Sequence, residues 1–466
     1  MPDAIREICD FLSSVKFAAI PANVRQQAKN CILDNIGCAI LGAEEGSSRI
    51  IGRTRKPLGA GNDATIVRQP GRDSVFNAVL VNSSYVHSID LSEGVARGVV
   101  HPGTVVVPAA LAEGESLGAS GSAVMHATVL GYEMLIRLGW ALGHQPADPI
   151  ELGDPQLMFR GWFPPAMLGA FGTTIAAGSL RGLNSEQMYQ ALGICANLIP
   201  TSAFEAATQG AMVKSLGCGW SAALGVYAAH LAEQGLTGLT DIIDCVFRKL
   251  VDSIDERMLT RDLGTRYEME SIGMKWIAAG PVRSELESAL QMVEQHHIRH
   301  TDIEKVDILT NARTATLNNA NPPNLLACKF STAYVVAHAL IGVPRENFLD
   351  EAFTQQAFDN SVWRPVAARI CMTVSDDYSK AFETAPNTSR PCTMTIRLKN
   401  GQSYTHTVAE TKGHSAHGAP PTADYVKKFR MLTSARLRDG NTDLLIDQVG
   451  RLDTLDNVRG ILDACH

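Results

Sequence analysis

The sequence predicts a large all-helical domain built from both ends of the chain, with a smaller α+β domain inserted ahead of the C-terminal helices. Three observations predict it. Apolar residues recur at i, i+3 and i+4 through residues 1–266, the spacing of a helix with one buried stripe. Alternation of apolar and polar residues, the spacing of a half-buried strand, is confined to 267–408. Helical spacing then resumes over 409–466, so two helical segments flank one strand-bearing insert.

Taken in order, Pro21 opens a helix at a position where its missing N–H costs little, and Cys31, Ile32, Leu33, Ile36, Ala39 and Ile40 give it an apolar face. A second helix spans 123–138, capped by Ser120 or Ser122 and closed by Gly139. Within it Glu133 and Arg137 are four residues apart and can pair. Asn184 or Ser185 caps a helix that runs through Ile194, and another spans 222–234 up to Gly235. Small residues crowd 169–178 and 221–230, the composition of helices that approach one another closely. In the insert, 302–310 and 369–375 read as strands, and 393–398 with 403–408 as a hairpin turning at Asn400-Gly401. Segments 329–340 and 346–353 read as helices between them.

The 466 residues carry 48 acidic and 41 basic side chains, a net charge of −7 without any basic stripe, which argues against a nucleic-acid groove. Basic runs that would hold an anionic membrane surface are missing, and no stretch reaches the ~18–20 uninterrupted apolar residues of a membrane span. The first residues are amphipathic and lack the order of a secretory signal. Ten scattered cysteines, with no C-x-x-C spacing, read as thiols in a reducing compartment. The expectation is a soluble cytoplasmic protein with no nucleic-acid or membrane partner.

One stretch concentrates groups that hold or move protons. Between His87 and Pro108, Asp90, Ser92, Glu93, Arg97 and His101 are separated by Gly94, Gly98 and Gly103, too many glycines for a plain helix. A polar loop between buried helices is where catalytic residues commonly sit. Phosphate-binding loops, dinucleotide fingerprints, nucleophile elbows and zinc-binding helices are all missing from the sequence.

Several stretches together resemble one family. They are Leu33-Asp-Asn-Ile-Gly-Cys, His87-Ser-Ile-Asp90, His101-Pro-Gly-Thr-Val-Val-Val-Pro, Gly131-Tyr-Glu, Pro164-Pro-Ala-Met-Leu-Gly, Met212-Val-Lys214-Ser-Leu and Gly413-His. In this order they resemble the MmgE/PrpD family over nearly the whole chain. The resemblance implies that the α+β insert is a lid on the helical domain, that no cofactor is used, that the substrate is a small polycarboxylate and that the protein is a homodimer. It also implies site residues: Asp90, His101, Lys214, Lys275 and Tyr334 for catalysis. Arg97, Arg160, Arg283 and Lys329 are candidates to clamp carboxylates, for which a guanidinium fork is well shaped. His87 and His414 are further candidates, and Tyr132 and His144 alternative proton donors.

The sequence departs from the family pattern at several imidazoles. Ser92-Glu-Gly-Val follows the loop aspartate with one extra residue before His101, and Phe163, Gly217 and Gly280 stand where histidines are usual. Expelling hydroxide needs a proton donor, for which histidine is suited. Moving a proton on and off an α-carbon needs only bases and cations. The expected function is therefore a cofactor-independent epimerase of an iminodisuccinate-like, amino-linked dicarboxylate, an isomerase. The alternatives are a lyase like 2-methylcitrate dehydratase or cis-aconitate decarboxylase, and a non-catalytic polycarboxylate-binding protein.

Overall fold

From Cys31 to Gly42 every residue of the Ala22–Gly42 helix is buried, Asp34 and Asn35 included. A helix closed to solvent on all sides belongs to the middle of a bundle, not to its surface. The computed structural model describes residues 3–55, 58–95, 100–143, 156–384, 390–411, 413 and 419–466. It divides into two units, one of Met1–Ala203, Val213–Met274 and Gly418–His466, the other of Phe204–Met212 and Lys275–His417.

The first unit is helical. Its centre is the Pro164–Leu180 helix, which packs against the helices Pro102–Leu117, Gly121–Gly143 and Val213–Glu233. Small residues set these distances. A Cβ added to Gly225 would lie 2.0 Å from Thr173 Oγ1 and 2.1 Å from the Ala170 carbonyl oxygen, and one on Gly131 would lie 2.7 Å from the Gly172 carbonyl. The glycine-rich segments thus let backbones meet where any side chain would hold them apart. Asn184 caps the Ser185–Asn197 helix through a reciprocal capping box with Gln187. Ser120 accepts from Ala123 N at 3.2 Å, as expected for the next-to-first helix of this set.

Two helices exceed their expected ends. The Gly121–Gly143 helix runs through Gly139, because Trp140, Ala141 and Leu142 are buried and outweigh a helical glycine's cost of about 1 kcal/mol. The Val213–Glu233 helix begins well before residue 222; Lys214 breaks the apolar spacing there, yet is itself buried. On its outer face Val213, Trp220 and Tyr227, seven residues apart, are 60%, 45% and 50% exposed.

The second unit carries a four-stranded mixed sheet. Its strands are β1 (Ile303–Thr310), β2 (Ile370–Val374), β3 (Cys392–Leu398) and β4 (Ser403–Val408), in the order β2-β1-β3-β4. β2 runs parallel to β1 and the other pairs are antiparallel. The hairpin closes with Arg397 opposite Ser403, and Gly401 takes the left-handed conformation at φ 88° that the turn requires. The Ser284–His296 helix packs on β3 and β4. The expected helix at 329–340 starts only at Thr332, capped by Ser331, and 346–353 forms two 3-10 turns, Arg345–Leu349 and Glu351–Phe353. Mostly helical with a small α+β portion is the class the sequence predicts. Among the described residues no helix is long and apolar enough to cross a membrane, and all ten cysteines are thiols.

The close packing at Gly225 makes a direct expectation. Gly225→Ala should destabilise the protein by about 1–3 kcal/mol in a urea melt, since overpacking outweighs alanine's helix propensity. Gly450→Ala, with open space around its Cβ, should be neutral or stabilising by up to about 1 kcal/mol. Equal effects at the two positions would contradict the packing account.

Candidate active site

The Val75–Ser88 helix ends just before Asp90, which adopts the left-handed conformation at φ 55°. Aspartate is one of the few L-residues that visits this region readily. The turn aims the Asp90 carboxylate at Lys214, one residue inside the Val213–Glu233 helix, with Nζ 2.5 Å from Oδ2. Lys214 is 2% exposed and Asp90 7%. The ammonium also lies 3.4 Å from the His87 carbonyl oxygen, to which it donates, and 5.9 Å from the centre of the Phe163 ring. The His87 ring is 5.4 Å from Phe163 and 6.4 Å from the His101 ring, centre to centre. Asp90, Lys214, His87, His101 and Phe163 therefore form one cluster within the first unit.

His101 precedes the Pro102–Leu117 helix as its N-cap residue, but its side chain does not cap that helix. Its Nδ1 instead faces the Glu93 carbonyl oxygen at 2.9 Å. A carbonyl only accepts, so Nδ1 carries the hydrogen and the neutral ring keeps its basic lone pair on Nε2. Gly94 lies under the ring, where an added Cβ would come 2.7 Å from Nδ1, and its backbone exchanges hydrogen bonds of 3.2 and 3.1 Å with Gly273.

Glu93 is fully buried. Gly103 N and the Tyr132 hydroxyl donate to its Oε1 at 2.8 and 2.6 Å, and Asn35 Nδ2 donates to Oε2 at 2.7 Å. Burial, and after it the charge of Asp34, pushes this carboxyl above the usual carboxylate range, against the pull of the three donors. Asp34 is paired with Lys428 at 2.7 Å, both without solvent exposure, and Lys428 also donates to the Leu91 carbonyl at 2.9 Å.

The other expected site residues fall differently. Tyr334 is fully buried in the second unit, its hydroxyl donating to the Ala352 carbonyl at 2.7 Å and its ring packed against His338 and Trp363. Burial raises its hydroxyl far above the usual tyrosine value. Arg160, expected to clamp a carboxylate, is on the surface and paired with the exposed Asp252 at 2.5 Å. Lys275 and Lys329 are buried in the second unit, 4% and 2% exposed, with the Lys329 ammonium 5.8 Å over the Phe353 ring. Arg283 is the N-cap residue of the Ser284–His296 helix, lowered to about 9 by burial and by the charge of Arg390. Tyr132 is committed to Glu93. Arg97, His144 and His414 lie outside the described residues.

Among the described residues no group of three or more His, Cys, Asp or Glu side chains is arranged to hold a metal ion. Sequence reasoning placed Glu93 in the loop without giving it a task, and it gave His87 little weight. Asn35 and Lys428 drew no attention, because their contacts with the loop join residues 58 and 337 positions apart.

A model of the MmgE/PrpD N-terminal domain matches residues 6–247, and one of the MmgE/PrpD C-terminal domain matches 281–452. The chain belongs to the MmgE/PrpD family. Relatives within reach of this MmgE/PrpD chain are named as decarboxylases. The cis-aconitate decarboxylase of Aspergillus terreus is 24% identical over 486 residues, covering 98% of this chain and 94% of the relative. The cis-aconitate decarboxylase of Homo sapiens is 24% identical over 463 residues, covering 96% and 91%, and that of Mus musculus is 22% identical over 468 residues, covering 96% and 90%.

These similarities correct the expected isomerase, since the relatives that carry names are lyases. The flaw in the expectation was positional. It inferred a shortage of imidazoles from Phe163, Gly217 and Gly280, but at the first of these the His87 ring stands 5.4 Å from the Phe163 side chain in space.

The buried pair gives a stability test. Lys214→Met removes the paired ammonium of a buried carboxylate and should cost about 3–5 kcal/mol, whereas Asp90→Asn with Lys214→Met together should cost less than the two single changes summed. Additive losses in a double-mutant cycle of denaturant melts would show that the two charges do not depend on each other.

Proposed function

We propose that this protein is a lyase that decarboxylates a small unsaturated di- or tricarboxylate of the cis-aconitate type, using side chains alone. The observation that supports it is the buried Lys214–Asp90 pair set with His101 and His87 around the apolar ring of Phe163, in a chain similar over nearly its whole length to cis-aconitate decarboxylases.

Decarboxylation breaks a carbon–carbon bond, releases neutral CO2 and leaves an electron pair that must be protonated on carbon. No hydroxide departs, so the reaction tolerates Phe163 where a dehydratase needs an acid. An apolar wall also favours converting a charged carboxylate into neutral CO2, because it solvates the charge poorly. The Lys214 ammonium, held in place by Asp90, supplies positive charge for the carboxylate that stays. His101 takes a proton from water on Nε2, becoming an imidazolium with Nδ1–H still bound to the Glu93 carbonyl, gives the Nε2 proton to the carbon that lost CO2 and returns to the neutral Nδ1–H ring. General acid catalysis of this kind contributes typically ~10²–10⁴-fold.

The test is incubation of the purified protein with cis-aconitate in D2O, following CO2 release and the product by NMR. The expected result is CO2 with a single deuterium on a product carbon. His101→Asn and Lys214→Ala should each lower kcat by about 10² or more. Water lost from 2-methylcitrate, with no CO2 from cis-aconitate, would replace decarboxylation by dehydration. Thermal stabilisation by either acid without turnover would leave a binding protein.

A homodimer is part of the same proposal, supported by the exposed Val213, Trp220 and Tyr227 stripe. Sedimentation equilibrium should give twice the chain mass for the native protein, falling towards the monomer in Trp220→Asp. A monomeric native protein at micromolar concentration would remove this part.

A further inference from the structure

We propose that Glu93 is a positioning residue that fixes the tautomer and direction of His101 by holding the chain on both sides of it. The proposal rests on His101 being the proton carrier of the reaction above. Its structural basis is independent of which polycarboxylate is turned over.

One residue makes both holds. The main-chain carbonyl of Glu93 takes the hydrogen of His101 Nδ1 at 2.9 Å, and its carboxylate takes the N–H of Gly103, two residues beyond His101, at 2.8 Å. Gly103 N is one of the unsatisfied donors of the first turn of the Pro102–Leu117 helix, which the side chain of its own N-cap residue leaves uncapped. Glu93 therefore caps that helix from eight positions before its N-cap residue, and a negative charge suits a helix N-terminus. The approach demands glycine: a Cβ on Gly103 would lie 2.1 Å from Glu93 Oε1 and 2.1 Å from Asn35 Nδ2.

The carboxylate has no freedom to turn. Oε1 receives Gly103 N and Tyr132, and Oε2 receives Asn35, so each oxygen faces an N–H donor. An amide cannot replace it without conflict. Its NH2 would face Asn35 Nδ2 in one orientation and Gly103 N in the other, leaving buried donors opposed. The segment before Glu93 is fastened too, since Lys428 binds the Leu91 carbonyl at 2.9 Å, and Gly94 is bridged to Gly273 on the far side. The imidazole is thus held by a loop whose backbone is tied at residues 91, 93 and 94.

The experiment compares the native protein with Glu93→Gln by 15N NMR of the histidine rings, the His101 signals among the 13 histidines being assigned by their loss in His101→Asn. The native protein should show His101 as the Nδ1–H tautomer, and Glu93→Gln a mixture with the Nε2–H form. The same change should lower kcat roughly 10²-fold, the scale of a misplaced catalytic group, with KM within about twofold. A folded Glu93→Gln protein, judged by far-ultraviolet circular dichroism, that keeps the native His101 signals would overturn the proposal. Should that variant fail to fold, Tyr132→Phe removes one donor without opposing another. A shifted His101 titration in it supports the proposal, and an unchanged one overturns it. If the native protein turns over neither cis-aconitate nor 2-methylcitrate, the reaction reading fails while the ring signals still decide the role of Glu93.

Discussion

The helical unit is closed by a salt bridge that solvent never reaches. Lys428, in the Thr422–Thr433 helix near the end of the chain, meets Asp34 in the middle of the Ala22–Gly42 helix at 2.7 Å. Burial opposes the lysine's charge, but the charge and hydrogen bond of Asp34, together with the neighbouring Cys38 and Glu93, raise the ammonium above its usual value. Neither partner is tolerable alone in such a place, because an isolated charge there lacks water and counter-ion. The pair therefore obliges the C-terminal helices to dock on the N-terminal ones. That is what makes one unit from segments separated by the whole α+β insert.

The same lysine reaches the loop where the chemistry is proposed. Its bond to the Leu91 carbonyl places the loop directly on this anchor, and Glu93, two residues further on, carries the restraint to Gly103 and His101. Asp90, on the other side of Leu91, pairs with Lys214. Two buried ion pairs thus flank one short loop, and each of them crosses between different parts of the chain. A catalytic group needs placement to within about half an ångström. A glycine-rich loop provides that only when fixed charges and hydrogen bonds remove the freedom its glycines allow.

The chemistry follows from what stands around Phe163. An imidazole in its place would be a proton donor for a departing hydroxide; an aromatic ring is a poor solvent for a carboxylate and no obstacle to CO2. Reading the position as a lost donor led to the isomerase expectation. Reading it as an apolar wall beside Lys214, His87 and His101 leads to the decarboxylation proposed above, in accord with the names of the relatives. The residue is the same, and the named relatives, with its neighbours in space, separate the two interpretations.

Much of the fold was legible in the residues alone, since helix and strand periods are local properties of a chain. The Asn184 cap, the Glu133–Arg137 pair at 3.1 Å and the hairpin at Asn400-Gly401 each depend on residues only a few positions apart. The family stretches pointed in the same way to Asp90, His101 and Lys214, which the structure gathers in one cluster. Tyr334 and Arg160 bore the right chemistry but lie in a core and on a surface, which composition does not distinguish. Glu93, Asn35 and Lys428 were silent in the sequence because a buried polar residue looks like an exposed one until its partners are known. Local spacing determined which segments are helices and strands. Long-range burial of charge, which acts through space and not along the chain, decided which of the polar residues hold the site together.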